Sequence, residues 1–240
     1  MYRMQKIEVK PYMKMVDLIE GNPSLLLFMQ HFNIDLRISE LTVSQLCKQY
    51  DISETLFISV ANLYNGYKNK VQDPLTCDDI LRIIEFLRNS HIYYRKYKYP
   101  EIKSYIHELQ EQHASKELLL LEKFFNKYYE EVLEHLDYED NVAFPYFTEL
   151  VTYNNIPCND KYSAMEYYEH HTDIELKLAD LKKLLLKHIK IENSLNLRRR
   201  LLTSLLELEF DLYIHSLIEE TILIPAGREF EKDCSCKWKK

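Results

Sequence analysis

Apolar residues recur along most of the chain at intervals of three and four residues, the spacing that places them on one face of an α-helix. Four long stretches carry this pattern, and their apolar positions begin at Ile80, Leu121, Ala164 and Leu201. Each stretch also holds histidine or glutamate in register with its apolar positions. We therefore predict four long helices, each with polar side chains on its apolar face.

Shorter apolar clusters, separated by helix-breaking residues, fill the first 66 residues. Thr42 and Gln45 have the spacing of a capping box, in which two side chains satisfy backbone groups at the start of a helix. Ser53 precedes an apolar run that ends at Gly66. This part of the chain is therefore predicted to form three or four short helices.

A polar stretch, Tyr67–Cys77, contains Pro74 and separates the short helices from the long ones. Such a stretch is typical of a linker. We therefore predict an all-α protein of two domains, with a small helical domain over residues 1–72 and a helix bundle over residues 73–240.

The composition narrows the class of protein. The 240 residues include only 3 glycines, each where a helix could end, so a glycine-rich phosphate loop is ruled out. The net charge of −7 lacks the basic excess that is usual in nucleic-acid-binding proteins. There is no apolar signal segment at the amino terminus, and the longest apolar runs are too short to cross a membrane. We therefore expect a cytoplasmic protein that binds neither nucleic acid nor a membrane.

The polar positions within the long helices repeat at an interval of 80 residues. The residues of the first half are His91, His135, Glu139 and Pro145, and their counterparts are His171, His215, Glu219 and Pro225. Each half has the pattern of an αα-hairpin. Two hairpins are predicted to pack as one antiparallel four-helix bundle, with the four histidines facing its axis.

This set of side chains is suited to binding metal ions. In each His-x-x-x-Glu motif the two side chains lie one above the other on a helix face. Two buried carboxylates repel each other, and a cation removes that cost.

Imidazole and carboxylate ligands suit iron, manganese or zinc. Six ligands predict two ions, each held by two histidines and both bridged by Glu139 and Glu219. With an oxo or hydroxo bridge added, each ion would have five ligands. One coordination position would then stay open for O₂ or NO.

The alternative is that these histidines are hydrogen-bonded core residues. A single histidine in an apolar helix face is more often such a core residue than a metal ligand. His188 fits that interpretation, since it lies 17 residues beyond His171, about 25 Å along a helix of ~1.5 Å rise. His170 points about 100° away from His171 on a helix of ~3.6 residues per turn, and it continues a polar stripe. The doubled spacing of the six residues favours metal ligands over core histidines.

The motifs at His135–Glu139 and His215–Glu219, together with His91 and His171, resemble those of the hemerythrin-like HHE cation-binding fold. They are most similar to the RIC (repair of iron centres, ScdA-type) proteins, which carry His-x-x-x-Glu twice and a proline after each motif. The resemblance covers about Asp78–Gly227. It implies that the six residues bind two iron ions, and that Glu131, one turn before His135, is a further carboxylate near the iron site.

The amino-terminal helices also resemble the small ScdA-type domain of RIC proteins. In that family a Cys-Cys-Gly-Gly motif follows the second short helix, whereas the corresponding stretch here, Asp35–Thr42, contains neither cysteine nor glycine. Thiol chemistry is therefore not carried over to this chain.

The resemblance implies repair of iron–sulfur clusters that nitric oxide or oxidative stress has damaged. The expected partners are damaged iron–sulfur proteins, with O₂ or NO as small ligands, and a homodimer is one option. Two alternatives stay open: a hemerythrin-like protein that binds or senses O₂ or NO, and a di-iron oxidoreductase such as an NO reductase. A repair or iron-donor protein is favoured over an enzyme with turnover, and no catalytic residue is predicted.

Overall fold

The computed structural model describes residues 6–67, 74–153, 162–170, 175–189 and 194–237. These residues are mainly helical and contain no β-strand; a single antiparallel bridge joins Lys14 and Thr42. The predicted all-α class is thereby confirmed. Within the described residues, no helix is both long enough and apolar enough to cross a membrane.

Residues 6–67 contain four short helices: α1 (Met15–Gly21), α2 (Leu25–His31), α3 (Val43–Tyr50) and α4 (Glu54–Tyr64). The predicted capping box begins α3, where Gln45 N donates to Thr42 Oγ1 and Thr42 N donates to Gln45 Oε1. Ser53 accepts a hydrogen bond from the backbone of Leu56 and so begins α4. Gly66 follows this helix with a φ of 77°, a conformation that glycine adopts without strain.

Longer helices follow, and several contain a π-helical turn. In chain order they are α5 (Cys77–Tyr93), π1 (Tyr94–Lys98), α6 (Tyr99–His113), α7 (Lys116–Tyr138), π2 (Glu139–Ala143), α8 (Phe144–Tyr153), α9 (Ala164–His170), α10 (Glu175–Lys187), α11 (Leu195–Ile218), π3 (Glu219–Leu223) and α12 (Ile224–Lys237).

Each π turn ends two residues before a proline: Pro100, Pro145 or Pro225. A proline has no N–H group, and its ring collides with the carbonyl of residue i−4 in a regular α-helix. Each of these prolines takes the second position of the α-helix that follows the π turn. The wider π turn before each proline gives its ring room and leaves the helix without the i−4 contact of a regular α-helix. The π turns therefore accommodate these prolines within continuous helical segments.

By its internal contacts the chain divides into two compact units. The first consists of residues 1–89, 143–171 and 214–240, and the second consists of residues 90–142 and 172–213. The predicted boundary between residues 72 and 73 stays a prediction.

The first unit contains an aromatic cluster that joins α5 to the short helices. The ring of Phe86 lies 6.4 Å from Phe28 and 4.7 Å from Phe32, measured between ring centroids. Asn89 Nδ2 donates a hydrogen bond of 2.9 Å to the carbonyl of His31. The second half of α5, through Phe86 and Asn89, therefore packs with the amino-terminal helices.

In the same unit α12 packs against α8 and α9. Gly227 lies within α12 rather than at a helix end, contrary to the interpretation from sequence. A Cβ atom at this position would lie 2.4 Å from Phe147 Cε1, so only glycine permits the close approach of α12 to Phe147.

The second unit contains a buried lysine, Lys98, at the end of π1. Its Nζ lies 2.8 Å from Glu101 Oε2 and 2.7 Å from Glu207 Oε1. Burial alone would lower the pKa of Lys98, but its hydrogen bonds to Glu101 and Glu207 outweigh that effect and raise the pKa. The lysine is therefore charged and belongs to a satisfied ionic network.

Candidate metal centre

In the second unit, two imidazoles meet one buried carboxylate. His135 Nε2 lies 2.9 Å from Glu139 Oε1, and His91 Nε2 lies 3.2 Å from Glu139 Oε2. Glu139 is fully buried, His91 is 1 % exposed and His135 is 10 % exposed in their side chains. Both oxygens of the carboxylate therefore have an imidazole nitrogen as a neighbour.

Helix geometry explains why these groups meet. His135 belongs to the last turn of α7, and Glu139, four residues later, begins π2. Side chains at i and i+4 share one face of a helix. The change from α to π geometry comes directly at the glutamate, and π turns are often found at functional sites.

Asp140 supports His91 from the other side of its ring. Its Oδ1 lies 3.1 Å from His91 Nδ1, and its Oδ2 lies 3.0 Å from Arg95 Nη1. A carboxylate beside Nδ1 favours the tautomer that carries its proton on that nitrogen, and Nε2 is then available as a ligand. The sequence interpretation missed Asp140, although the acidic pairs Glu139-Asp140 and Glu219-Glu220 stand 80 residues apart.

In the first unit, the second motif has different neighbours. His215 Nε2 lies 3.2 Å from Glu219 Oε1. The hydroxyl of Tyr167 donates a hydrogen bond of 2.5 Å to the same oxygen. Glu219 and Tyr167 are fully buried, and His215 is 4 % exposed. This carboxylate therefore has an imidazole and a phenol as neighbours.

The sequence interpretation also missed Asp211, one turn before His215. Asp211 is buried, and Tyr94 donates a hydrogen bond of 2.9 Å from its hydroxyl to Asp211 Oδ2. Its position is 80 residues after Glu131, so applying the repeat to Glu131 would have identified it.

Glu131 itself has a side chain that is 38 % exposed and forms an ion pair with Lys177. The hydrogen bond with this lysine lowers the pKa of Glu131. The role of Glu131 beside the metal stays a prediction.

Of the six predicted ligands, the structure describes His91, His135 and Glu139 in the second unit and His215 and Glu219 in the first. His171 lies outside the described residues, and so does the side chain of His170. His188 is exposed just after the end of α10.

The chemistry of these donors fits a metal ion. Glu139 and Glu219 are fully buried carboxylates, and each has imidazole nitrogen within 3.2 Å. A buried carboxylate is costly unless it is paired or binds a metal. Imidazole with carboxylate suits iron, manganese or zinc, and the group contains no thiolate that would indicate a structural zinc site.

Comparisons of the chain with models of protein families, with curated proteins and with solved structures found no match.

Proposed function

We propose that this chain is a non-haem di-iron protein of the hemerythrin-like type. Its long helices form an antiparallel four-helix bundle, and six side chains hold the two iron ions: His91, His135, Glu139, His171, His215 and Glu219. The observation that carries the proposal is the position of Glu139, a fully buried carboxylate with an imidazole nitrogen near each of its oxygens.

The second motif supports the same proposal because it places another fully buried carboxylate, Glu219, beside an imidazole. Burying two carboxylates and several imidazoles costs desolvation free energy, and packing the core does not require it. Apolar residues of similar volume would avoid the cost of desolvating charged groups. Metal binding provides a reason for their burial, because a cation interacts favourably with both carboxylates and is held by the imidazoles.

The roles of the individual side chains follow from their contacts. His91 and His135 approach Glu139, and Asp140 with Arg95 orients the ring of His91. The iron ions, when bound, would supply redox chemistry and an open position for O₂ or NO.

We propose that the protein acts in the cytoplasm in the repair of iron–sulfur clusters damaged by nitric oxide or oxidative stress. This function comes from the resemblance of the repeated His-x-x-x-Glu motifs to those of RIC proteins. Damaged iron–sulfur proteins would be its partners, and the small amino-terminal helices would dock them.

A second candidate is a protein that binds or senses O₂ or NO. The observation in its favour is the stretch Asp35–Thr42, which lacks the cysteines that RIC proteins carry there. A protein without that thiol pair retains a complete set of iron ligands, so gas binding would not require the missing motif.

Metal analysis with an absorption spectrum tests the proposed centre. The full chain, expressed in iron-replete medium and purified without added metal, is expected to contain about two irons. After oxidation it should absorb in the near ultraviolet through its oxo bridge or through carboxylate-to-iron charge transfer. One zinc per chain and no iron would contradict the proposal.

Complementation separates repair from sensing. Cells that lack their own iron-repair protein would receive this chain, and recovery of an NO-damaged cluster enzyme would be assayed. Recovery with the full chain and failure with Glu139→Ala would support repair through the metal centre. Failure of both, with reversible binding of O₂ or NO by the purified protein, would favour the second candidate.

A further inference from the structure

The hydrogen bond between Tyr167 and Glu219 joins two completely buried side chains. The phenol hydroxyl donates to Glu219 Oε1 over 2.5 Å, and His215 Nε2 lies 3.2 Å from the same oxygen. A hydrogen bond to an ionised carboxylate is roughly twice as strong as one between neutral groups. This bond therefore restrains the orientation of the carboxylate.

Packing holds the phenol ring in position. The ring of Tyr167 meets Phe147 edge to face, with 5.7 Å between ring centroids and 73° between planes. Phe147 is in turn held by α12, which approaches it closely at Gly227. Ser163 fixes the start of α9 by accepting a hydrogen bond from the backbone of Glu166. Tyr167 is therefore positioned by rigid neighbours rather than by Glu219 alone.

The repeat offers an internal comparison for this position. The residue 80 positions before Tyr167 is Leu87, which is also buried. The repeat therefore places an apolar residue in the first half where the second half has a tyrosine. A buried apolar side chain is compatible with this helix position, so the hydroxyl of Tyr167 is specific to the second half.

From these contacts we infer that Tyr167 is a positioning residue for metal binding, one that holds Glu219 through its hydroxyl. The inference rests on the proposed di-iron function. A side chain that orients a metal ligand typically contributes about 10-fold to 100-fold in metal affinity. By restraining the carboxylate, the hydroxyl would hold Glu219 in one orientation as a ligand when iron is bound.

Tyr167→Phe in the full-length, iron-loaded protein tests the inference, because it removes only the hydroxyl. Tyr146→Phe is the matched control. Tyr146 belongs to the same unit and donates a 2.5 Å hydrogen bond to Glu231, a carboxylate that is not a proposed ligand. The rate of iron removal by a ferrous-iron chelator is the main measurement. We expect it to rise about 10-fold or more in Tyr167→Phe and to stay unchanged in Tyr146→Phe.

Two further measurements separate positioning from structure. The carboxylate-to-iron absorption of the oxidised protein is expected to shift in Tyr167→Phe, since Glu219 would coordinate differently. The melting temperature of the metal-free protein is expected to fall in both variants by the modest amount that the loss of one hydrogen bond gives. A larger fall for Tyr167→Phe, without a shift in the spectrum, would show a structural role and overturn the inference.

The outcomes also distinguish this inference from the proposed function. If the unaltered protein contains two irons and Tyr167→Phe releases them at the same rate, positioning by Tyr167 is wrong and the di-iron centre stands. If the unaltered protein contains no iron, the proposed function is wrong and the inference fails with it.

Discussion

The two copies of the His-x-x-x-Glu motif share their backbone geometry, and the second has a phenol beside its glutamate. In both, the glutamate begins a π turn and a proline follows six residues later. Among the described residues, Glu139 has the imidazoles of His91 and His135 beside it, and Glu219 has the imidazole of His215 and the phenol of Tyr167. The repeat thus preserves the pairing of histidine with glutamate and the local helix geometry, and in the second copy a tyrosine from another helix is added.

The shared geometry extends to the third residue of each π turn. Asn141 Nδ2 donates 2.7 Å to the carbonyl of Asp137, and Thr221 Oγ1 donates 2.5 Å to the carbonyl of Leu217. A π turn shifts the backbone hydrogen bonds from i−4 to i−5 and disturbs the carbonyls near its start. Two different side chains therefore satisfy equivalent carbonyls in the two copies.

The largest effect is expected from removing the glutamate of either copy. Glu139→Ala and Glu219→Ala should each lose most of the bound iron, because in the proposed centre both ions lose a bridging ligand. Loss of metal should also lower the melting temperature, since the metal binds only the native state. The measurement is iron per chain after purification. His188→Ala, at an exposed position outside the site, is the control, and equal iron in all three variants would place the site elsewhere.

An intermediate effect is expected from the acidic residue that follows each glutamate. Asp140→Asn should weaken metal binding about 10-fold to 100-fold, because Asp140 orients the ring of His91. Glu220→Gln is the matched change in the other copy, and its side chain is exposed, so its effect should be smaller. Competition with a chelator measures both affinities. Equal losses would mean that the two copies orient their histidines in the same way.

The smallest effect is expected from the third residue of each π turn. Asn141→Leu and Thr221→Val each remove one hydrogen bond from a side chain to a backbone carbonyl. Each should lower the free energy of unfolding by about 1 kcal/mol, the usual net contribution of such a bond. Urea unfolding of the metal-free protein measures this quantity. A loss in one variant alone would show that the two π turns do not depend equally on these bonds.

Local features of the fold could be predicted from the sequence, because short-range chemistry determines them. The capping box at Thr42 and the cap at Ser53 follow from side chains within three residues of the groups they satisfy. The pairing of each histidine with the glutamate four residues later follows from helix geometry in the same way.

Features that depend on contacts between helices could not be predicted. Gly227 was assigned to a helix end, but the approach of Phe147 places it inside α12. The π turns could not be predicted either, because the pattern of apolar residues does not reveal the wider turn before each proline. Tyr167 stands among 19 tyrosines, and the sequence alone does not distinguish it from the others.

The π turn at Glu139–Ala143 also has a consequence for changes in chain length. A π turn holds one more residue than an α turn in the same rise, so this segment contains the equivalent of an insertion. Deleting one residue there would allow a continuous α-helix and would leave the phase of the helix beyond it nearly unchanged, because a π turn and an α turn both complete about one rotation. Phe144 and Phe147, which are fully buried, would still face the core. Keeping every residue but straightening the segment into an α-helix would instead rotate everything beyond it by about 100°. The π turn therefore absorbs the extra residue without changing which face of the next helix is apolar.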